Sequence, residues 1–471
     1  MSSPSRAVVE PRAVLPGGVS RGSSVRGVRQ APIFRHEHQP LPPPHQATVE
    51  PEHPAGPDLG ERHPEAHERL HLVHPGGQDH QSRSLDISSS TLPEAVRAAA
   101  DQARAEADRT EAEGRLSAGL VQALRTTGVF RMWVPTELGG TGVDPVTAIA
   151  TIEALATADA STGWCAMIGL TSGALAGLLP EAGARAVYSS GPDAIVGGTL
   201  APSGTAAITA GGYVVNGRWS FASGSLHSDW LFGGCALMQN GEPKLREDGR
   251  PEMRMIFMPT SELGILDNWD VMGLRGTGSN DFAATDVFVP EQMALALDTA
   301  PWAAGPLWRI PPLTLVFPPM AAVPLGIARA AIDELVALAA DKVPYRSSRR
   351  LAERDTAQAM VAKAEAAVRS ARAFVLEAVG GIWESAQREE PVSLQQRAIA
   401  RLAGINAAHA AADAVDLCYE AGGATSIHTV SLLQRAFRDV HVATQSVVLS
   451  YTGWETVGRV LLGLEPDTPL L

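Results

Sequence analysis

Arg435 and Arg438 stand three residues apart near the start of a helical pattern, so their guanidiniums share one helix face. Two cations fixed in this way can clamp a phosphate or a carboxylate. Gly422 and Gly423, just upstream, end the preceding helical pattern and let backbone N–H groups approach an anion closely. The rival reading of the two arginines is a salt-bridge cluster with acids on a neighbouring element. A second constellation is His63, His67 and His71, which recur every four residues and on a helix would offer imidazoles to a metal. Pro64 and Pro75 bracket that run and few apolar residues could dock such a helix, so disorder with incidental metal affinity is the better reading.

The elements that must position these groups change character along the chain. Residues 1–85 are rich in Pro, Gly, Ser, Arg and His, hold nine of the thirteen histidines, and show no apolar periodicity. They read as a disordered extension without the apolar run of a signal peptide, and an over-extended reading frame would look the same. Residues 86–194 read as helical. Leu92-Pro93-Glu94 opens one helix with proline in its first turn, Leu116, Leu120 and Leu124 repeat every four residues, and Asp144-Pro145 begins a helix carrying Ile149, Ile152 and Leu155 inward. A Gly/Ala-rich helix follows around Ser161–Gly169, with Trp164 and Met167 read as core. Residues 195–300 switch to short strands, Ala206–Thr209, Gly211–Gly217 and Asp229–Gly233 among them, with Asn216-Gly217 as a hairpin signal. A small β-barrel or sandwich is expected there. Residues 301–471 return to helix: Pro324–Ala340, Ala352–Ala386, Ser393–Ala421 and Ser431–Leu462, four antiparallel helices of a bundle.

A chain of 471 residues is long enough for two or three cores. Its net charge of −13 argues against a nucleic-acid partner, whose phosphates need a basic surface. Cys165, Cys235 and Cys418 are far apart and suggest neither a metal site nor a disulfide framework, which points to a reducing cytoplasm. No window is expected to be apolar enough to span a bilayer.

Four segments together resemble the acyl-CoA dehydrogenase superfamily of flavoproteins: Gly217–Gly224 (GRWSFASG), Met272–Ser279 (MGLRGTGS) followed by Asp286–Pro290, Val343–Arg346 (VPYR), and the stretch from Gly422 to Gly463. They lie in the family's order, and the resemblance runs from about Leu85 to Leu471. It implies an α+β fold with an N-terminal helical domain, a middle β domain and a C-terminal four-helix bundle, assembled as a homotetramer. It also implies that Thr199, Trp219, Phe221 and Ser223 face the flavin, and that Arg346, Gly422, Gly423, Arg435 and Arg438 hold it, Arg346 across a subunit interface.

Dehydrogenases of this family use a glutamate to remove a proton next to a thioester carbonyl. Here the helix after Arg438-Asp439 reads Val442-Ala443-Thr444-Gln445-Ser446-Val447, and the alternative position, Thr314–Pro319, also lacks an acid. Without a proton acceptor, acyl desaturation is disfavoured. A sister branch, the oxygenase components of two-component flavin monooxygenases, carries patterns similar to Phe221-Ala222-Ser223-Gly224-Ser225-Leu226-His227-Ser228-Asp229-Trp230 and to Leu433-Gln434-Arg435-Ala436-Phe437-Arg438-Asp439-Val440-His441. That resemblance implies FAD or FMN reduced by a separate flavin reductase, dioxygen, and a small aromatic or natural-product substrate. Ser223 would hydrogen-bond the flavin C4a-hydroperoxide, and His227 would deprotonate the substrate or hold its oxygen. Family members often carry Gln-His where this chain has Gln445-Ser446. An acyl-CoA dehydrogenase-type desaturase and a degenerate flavin-binding homologue are the alternatives.

Overall fold

A computed structural model describes residues 92–466 and 468; the 1–85 extension, with its histidine run, lies outside the described residues. Local signals account for the first helices. α1 (Glu94–Glu113) follows Pro93 and stops at Gly114, whose φ of 65° is left-handed. α2 (Ala118–Thr127) is capped by the Ser117 hydroxyl, which accepts from Leu120 N. Asp144 and Asp159 cap α3 (Pro145–Ala158) and α4 (Ala160–Gly173) by accepting from Thr147 N and Thr162 N. α4 is buried along almost its whole length, Trp164 and Met167 included. At Gly163 a Cβ would lie 2.5 Å from Ala156 Cβ, so glycine is what allows α3 and α4 to pack this closely. A short α5 (Glu181–Val187) leads into the sheet.

The strands are β1 (Val196–Thr209), β2 (Gly212–Trp219), β3 (Trp230–Gln239), β4 (Glu242–Pro243), β5 (Met253–Pro259), β6 (Gly264–Leu266), β7 (Asp281–Pro290) and β8 (Ala294–Leu295). They pair in one sheet of order β6-β7-β2-β1-β3-β5-β8, with β4 on β3; β1 and β3 are parallel and the other pairs antiparallel. The hairpin signal at Asn216-Gly217 is corrected. Those residues lie inside β2, at a register shift between Val215 and Gly217, and the β1–β2 turn is at Ala210-Gly211, where Gly211 has φ 79°. Asn216 uses its turn-forming amide elsewhere, exchanging hydrogen bonds with the Asp286 carboxylate and backbone N–H.

The helical C-terminal part comprises α6 (Pro312–Asp341), α7 (Asp355–Gln387), α8 (Leu394–Gly422), α9 (Leu432–Ala443) and α10 (Thr452–Leu461). Two expectations change here. α6 starts well before Pro324 and runs through Pro318, Pro319 and Pro324. Its packing against α3, α4, α7, α8 and α9 offsets the backbone bonds those prolines cannot make. The single helix expected over Ser431–Leu462 is broken between Ala443 and Thr452, where the hydroxyls of Thr444 and Ser450 turn back to the carbonyls of His441 and Val447. α6 also overturns the expectation about apolar windows. It is long and apolar enough to cross a membrane, but 83% of its most apolar window is buried inside the fold, as the central helix of a core.

Candidate active site

The candidate site forms where β2 ends. Phe221 (φ 65°) and Gly224 (φ 73°) force the chain into a turn, which Ala222 N and Gly224 N pin to Asn280 O and Thr277 O. Buried on this turn, Ser223 is the second member of a hydrogen-bonded chain. Trp164 Nε1 donates to Ser223 Oγ at 3.0 Å, Ser223 Oγ lies 2.7 Å from Ser279 Oγ, and Ser279 Oγ lies 2.7 Å from Thr277 Oγ1. Thr277 Oγ1 donates to Leu274 O at 2.8 Å. A carbonyl only accepts and each hydroxyl has one proton, so the direction is fixed: Trp164 to Ser223 to Ser279 to Thr277 to Leu274. Ser223 is therefore committed as a donor inside the protein, and what it retains for a bound group is acceptor capacity. The expected donation from Ser223 to a bound group would require the chain to reverse.

The network continues into the bundle. Leu274 N donates to Asp439 Oδ1 at 2.6 Å, so α9 holds the loop that anchors the hydroxyl chain. Burial raises the Asp439 carboxyl to about pKa 7. Trp164, Thr277, Ser279 and Asp439 were not assigned roles from sequence. Trp164 reads as core, and Thr277, Ser279 and Asp439 stand only inside segments that carry the family resemblance.

His227 lies on the same turn, its ring against Gly224, where a Cβ would sit 2.9 Å from Nε2. Burial, then the nearby Arg125 charge, lower its pKa to about 4, opposed by Asp229. The imidazole is thus neutral near pH 7 and weakly basic, suited to accepting a hydrogen bond more than to removing a proton. It lines a cleft of about 610 Å³ together with residues of α1, α2 and the segment between them. A smaller cavity of about 170 Å³ lies between α4 and the start of α6, lined by Thr171, Trp308, Leu315 and Val316 among others and by no carboxylate.

The remaining expected residues divide. Phe221 is 71% exposed and meets Trp269 edge-on at 6.1 Å, offering an aromatic surface beside the Ser223 turn. Thr199 is half-buried where β1 bulges away from β3. Trp219 is corrected: its side chain is fully buried in the sheet, stacked on Phe282 at 4.9 Å with Nε1 donating to Gly234 O, so it presents nothing to a ligand. Arg435 and Arg438 are not open cations. Arg435 pairs with Asp108 and Glu111, and Arg438 pairs with Glu111 and donates to Met272 O, which ties α9 to α1 and to the 272–274 loop. The salt-bridge reading of this pair is the geometry observed. Arg346 is exposed, at φ 60°, with its guanidinium over the Tyr345 ring. Gly422 is brought near that segment, because Lys342 Nζ donates to Gly422 O at 2.5 Å and to Thr425 Oγ1 at 2.6 Å; Gly423 has φ 54° and room for a close approach. His441 faces α8, bonding Asp416 at 2.9 Å. Phe221 and Ser223 share one turn, whereas Arg346 lies on the segment after α6, beside Tyr345.

Comparison with known proteins agrees. Residues 89–187 match the acyl-CoA dehydrogenase N-terminal domain and residues 319–451 the acyl-CoA dehydrogenase C-terminal domain. Indole-3-acetate monooxygenase of Pseudomonas putida is 34% identical over 363 residues, covering 77% of this chain and 91% of its own. The FADH2-dependent resorcinol hydroxylase, oxygenase component, of a Rhizobium species is 30% identical over 393 residues, 79% of this chain and 94% of its own. Among solved structures, XiaF from a Streptomyces species, in complex with FADH2 and glycerol, superposes with a TM-score of 0.75 at 25% identity, covering 81% of this chain and 97% of its own. The chain belongs to the acyl-CoA dehydrogenase-fold family of flavoproteins, in the branch of two-component flavin-dependent monooxygenase oxygenase components.

Proposed function

We propose that this protein is the oxygenase component of a two-component monooxygenase that hydroxylates a small aromatic substrate, taking reduced FAD or FMN from a separate reductase. The observation that carries the reading is the turn over residues 221–228. It holds an exposed aromatic, a buried hydroxyl fixed in a directed chain, and a neutral imidazole within one short segment. Bound reduced flavin supplies the activation of dioxygen. Phe221 and Ser223 would hold the flavin ring and Arg346 its phosphate. Ser223 accepts a hydrogen bond at Oγ while Trp164 and Ser279 keep that oxygen in place. His227, unprotonated, accepts the N–H or O–H of the substrate and orients the ring.

Arg346, Gly422 and Gly423 lie near one end of the bundle. They sit beside Tyr345, Ile427 and Val430, which are 89%, 64% and 90% exposed. Such a surface supports a homo-oligomer, read as a tetramer, in which these residues serve a neighbouring copy's flavin. The three cysteines are free and buried, in keeping with a cytoplasmic enzyme.

The test supplies reduced flavin, isotopically labelled dioxygen and a panel of phenols and indoles. One labelled oxygen is expected in the product. His227→Ala is expected to divert turnover to hydrogen peroxide. Reoxidation at the rate of free flavin, with no product across the panel, refutes the reading.

A further inference from the structure

We infer that Asp439 is a positioning residue for both Phe221 and Ser223: from α9 it holds Leu274, the residue on which the supports of those two side chains converge. The inference rests on the proposed function, in which Phe221 and Ser223 hold the flavin ring, and Asp439 acts on them through Leu274.

Leu274 is buried with φ 51°, a left-handed backbone that a leucine keeps only where its surroundings hold it. Three donors end on its carbonyl: Thr277 Oγ1 at 2.8 Å, Trp269 Nε1 at 3.1 Å and Thr277 N at 3.2 Å. The first closes the hydroxyl chain that begins at Trp164 and Ser223. The second fixes the indole whose ring meets Phe221 edge-on. The 274–280 loop is also the bed of the turn, since Gly224 N donates to Thr277 O, Ser225 Oγ to Gly278 O and Ala222 N to Asn280 O. On its amide side Leu274 N donates to Asp439 Oδ1 at 2.6 Å. Gly273 lies flat on α9, where a Cβ would be 2.3 Å from Arg438 O, so the loop rests directly on the helix that carries the carboxyl. A buried N–H deprived of its acceptor turns toward another partner or water. The left-handed φ at Leu274 relaxes with it, and the carbonyl that tethers both walls of the site moves.

Amide hydrogen exchange on the unliganded full chain, with anaerobic titration of reduced FMN and FAD, tests this. Asp439→Ala is expected to speed exchange in residues 221–228 and 268–279 together, and to weaken reduced flavin about tenfold, as loss of one buried hydrogen bond implies. Asp439→Asn keeps an acceptor for Leu274 N and should restore both. Trp269→Phe keeps a ring beside Phe221 but removes its tether, and Thr277→Val cuts the hydroxyl chain; each should speed exchange in 221–228 less than Asp439→Ala does. Arg372→Gln, which breaks the ion pair of α7 with Glu153 on α3, gives the response to a general loss of stability. Unchanged exchange in 221–228 of Asp439→Ala overturns the inference, and so does the same two-segment pattern in Arg372→Gln. Should Asp439→Ala not fold, unchanged exchange in 221–228 of both Trp269→Phe and Thr277→Val overturns it. The exchange readout needs no flavin. Coupled loosening of the two segments, in a protein that puts no labelled oxygen into any product, would therefore sustain the positioning role and refute the monooxygenase reading.

Discussion

Replacing Ser223 by alanine tests whether the hydroxyl chain holds the site together. The change deletes one oxygen, and the directed chain says which group suffers. Ser279 loses an incoming bond but still donates to Thr277, whereas the buried Trp164 Nε1–H loses its acceptor. A buried donor left unpaired costs about 1–3 kcal/mol. Unfolding entropy near 2.1 cal/mol/K per residue gives this ordered region about 0.8 kcal/mol/K, so the melting temperature should fall by about 1–4 °C. Calorimetric melting of Ser223→Ala, Trp164→Phe and the double variant separates this term from the lost ring volume. In the double variant no orphan donor remains, so its destabilisation should be smaller than the sum of the two single losses by about 1 kcal/mol or more. Additive losses to within about 0.3 kcal/mol would refute the directed chain.

Two further outcomes follow from buried and exposed charges. Asp439 has its pKa raised from 3.8 to about 7 in the folded protein, so folding favours the protonated carboxyl: the stability this contributes is full below pH 3.8 and is lost as pH rises through about 7. Asp439→Asn keeps an acceptor for Leu274 N without titrating, and its denaturation curves should gain on the parent between pH 4 and 8; parallel curves would refute this. Arg346→Ala should lower flavin affinity about tenfold with melting unchanged, while Arg435→Ala should cost about 1.5–3 kcal/mol of stability by leaving Glu111 and Asp108 short of a partner. Equal flavin affinity in the Arg346 variant, measured by equilibrium titration, removes that residue from the site.

Sequence alone determined what depends on neighbours along the chain. Asp144-Pro145 and Ser393 begin helices because a side-chain acceptor beside the first turn satisfies its free N–H groups, and that requirement is local. The Ser223–His227 segment was legible through its resemblance to a family pattern, which is contiguous because its residues share one turn. The break after Ala443 and the passage of α6 through three prolines were decided by competition between backbone, hydroxyls and packing, which periodicity does not record. Only the tertiary structure decided which polar groups are already spent. Arg435 and Arg438 resembled open anion ligands until α1 brought Asp108 and Glu111 to them, and Trp219 resembled a flavin contact until the sheet closed over it. Trp164, Ser223, the Thr277–Ser279 loop and Asp439 come from four separate parts of the chain and act as one network because burial brings their donors and acceptors together away from water. A sequence names donors and acceptors, but pairing is settled by which of them the fold excludes from water together.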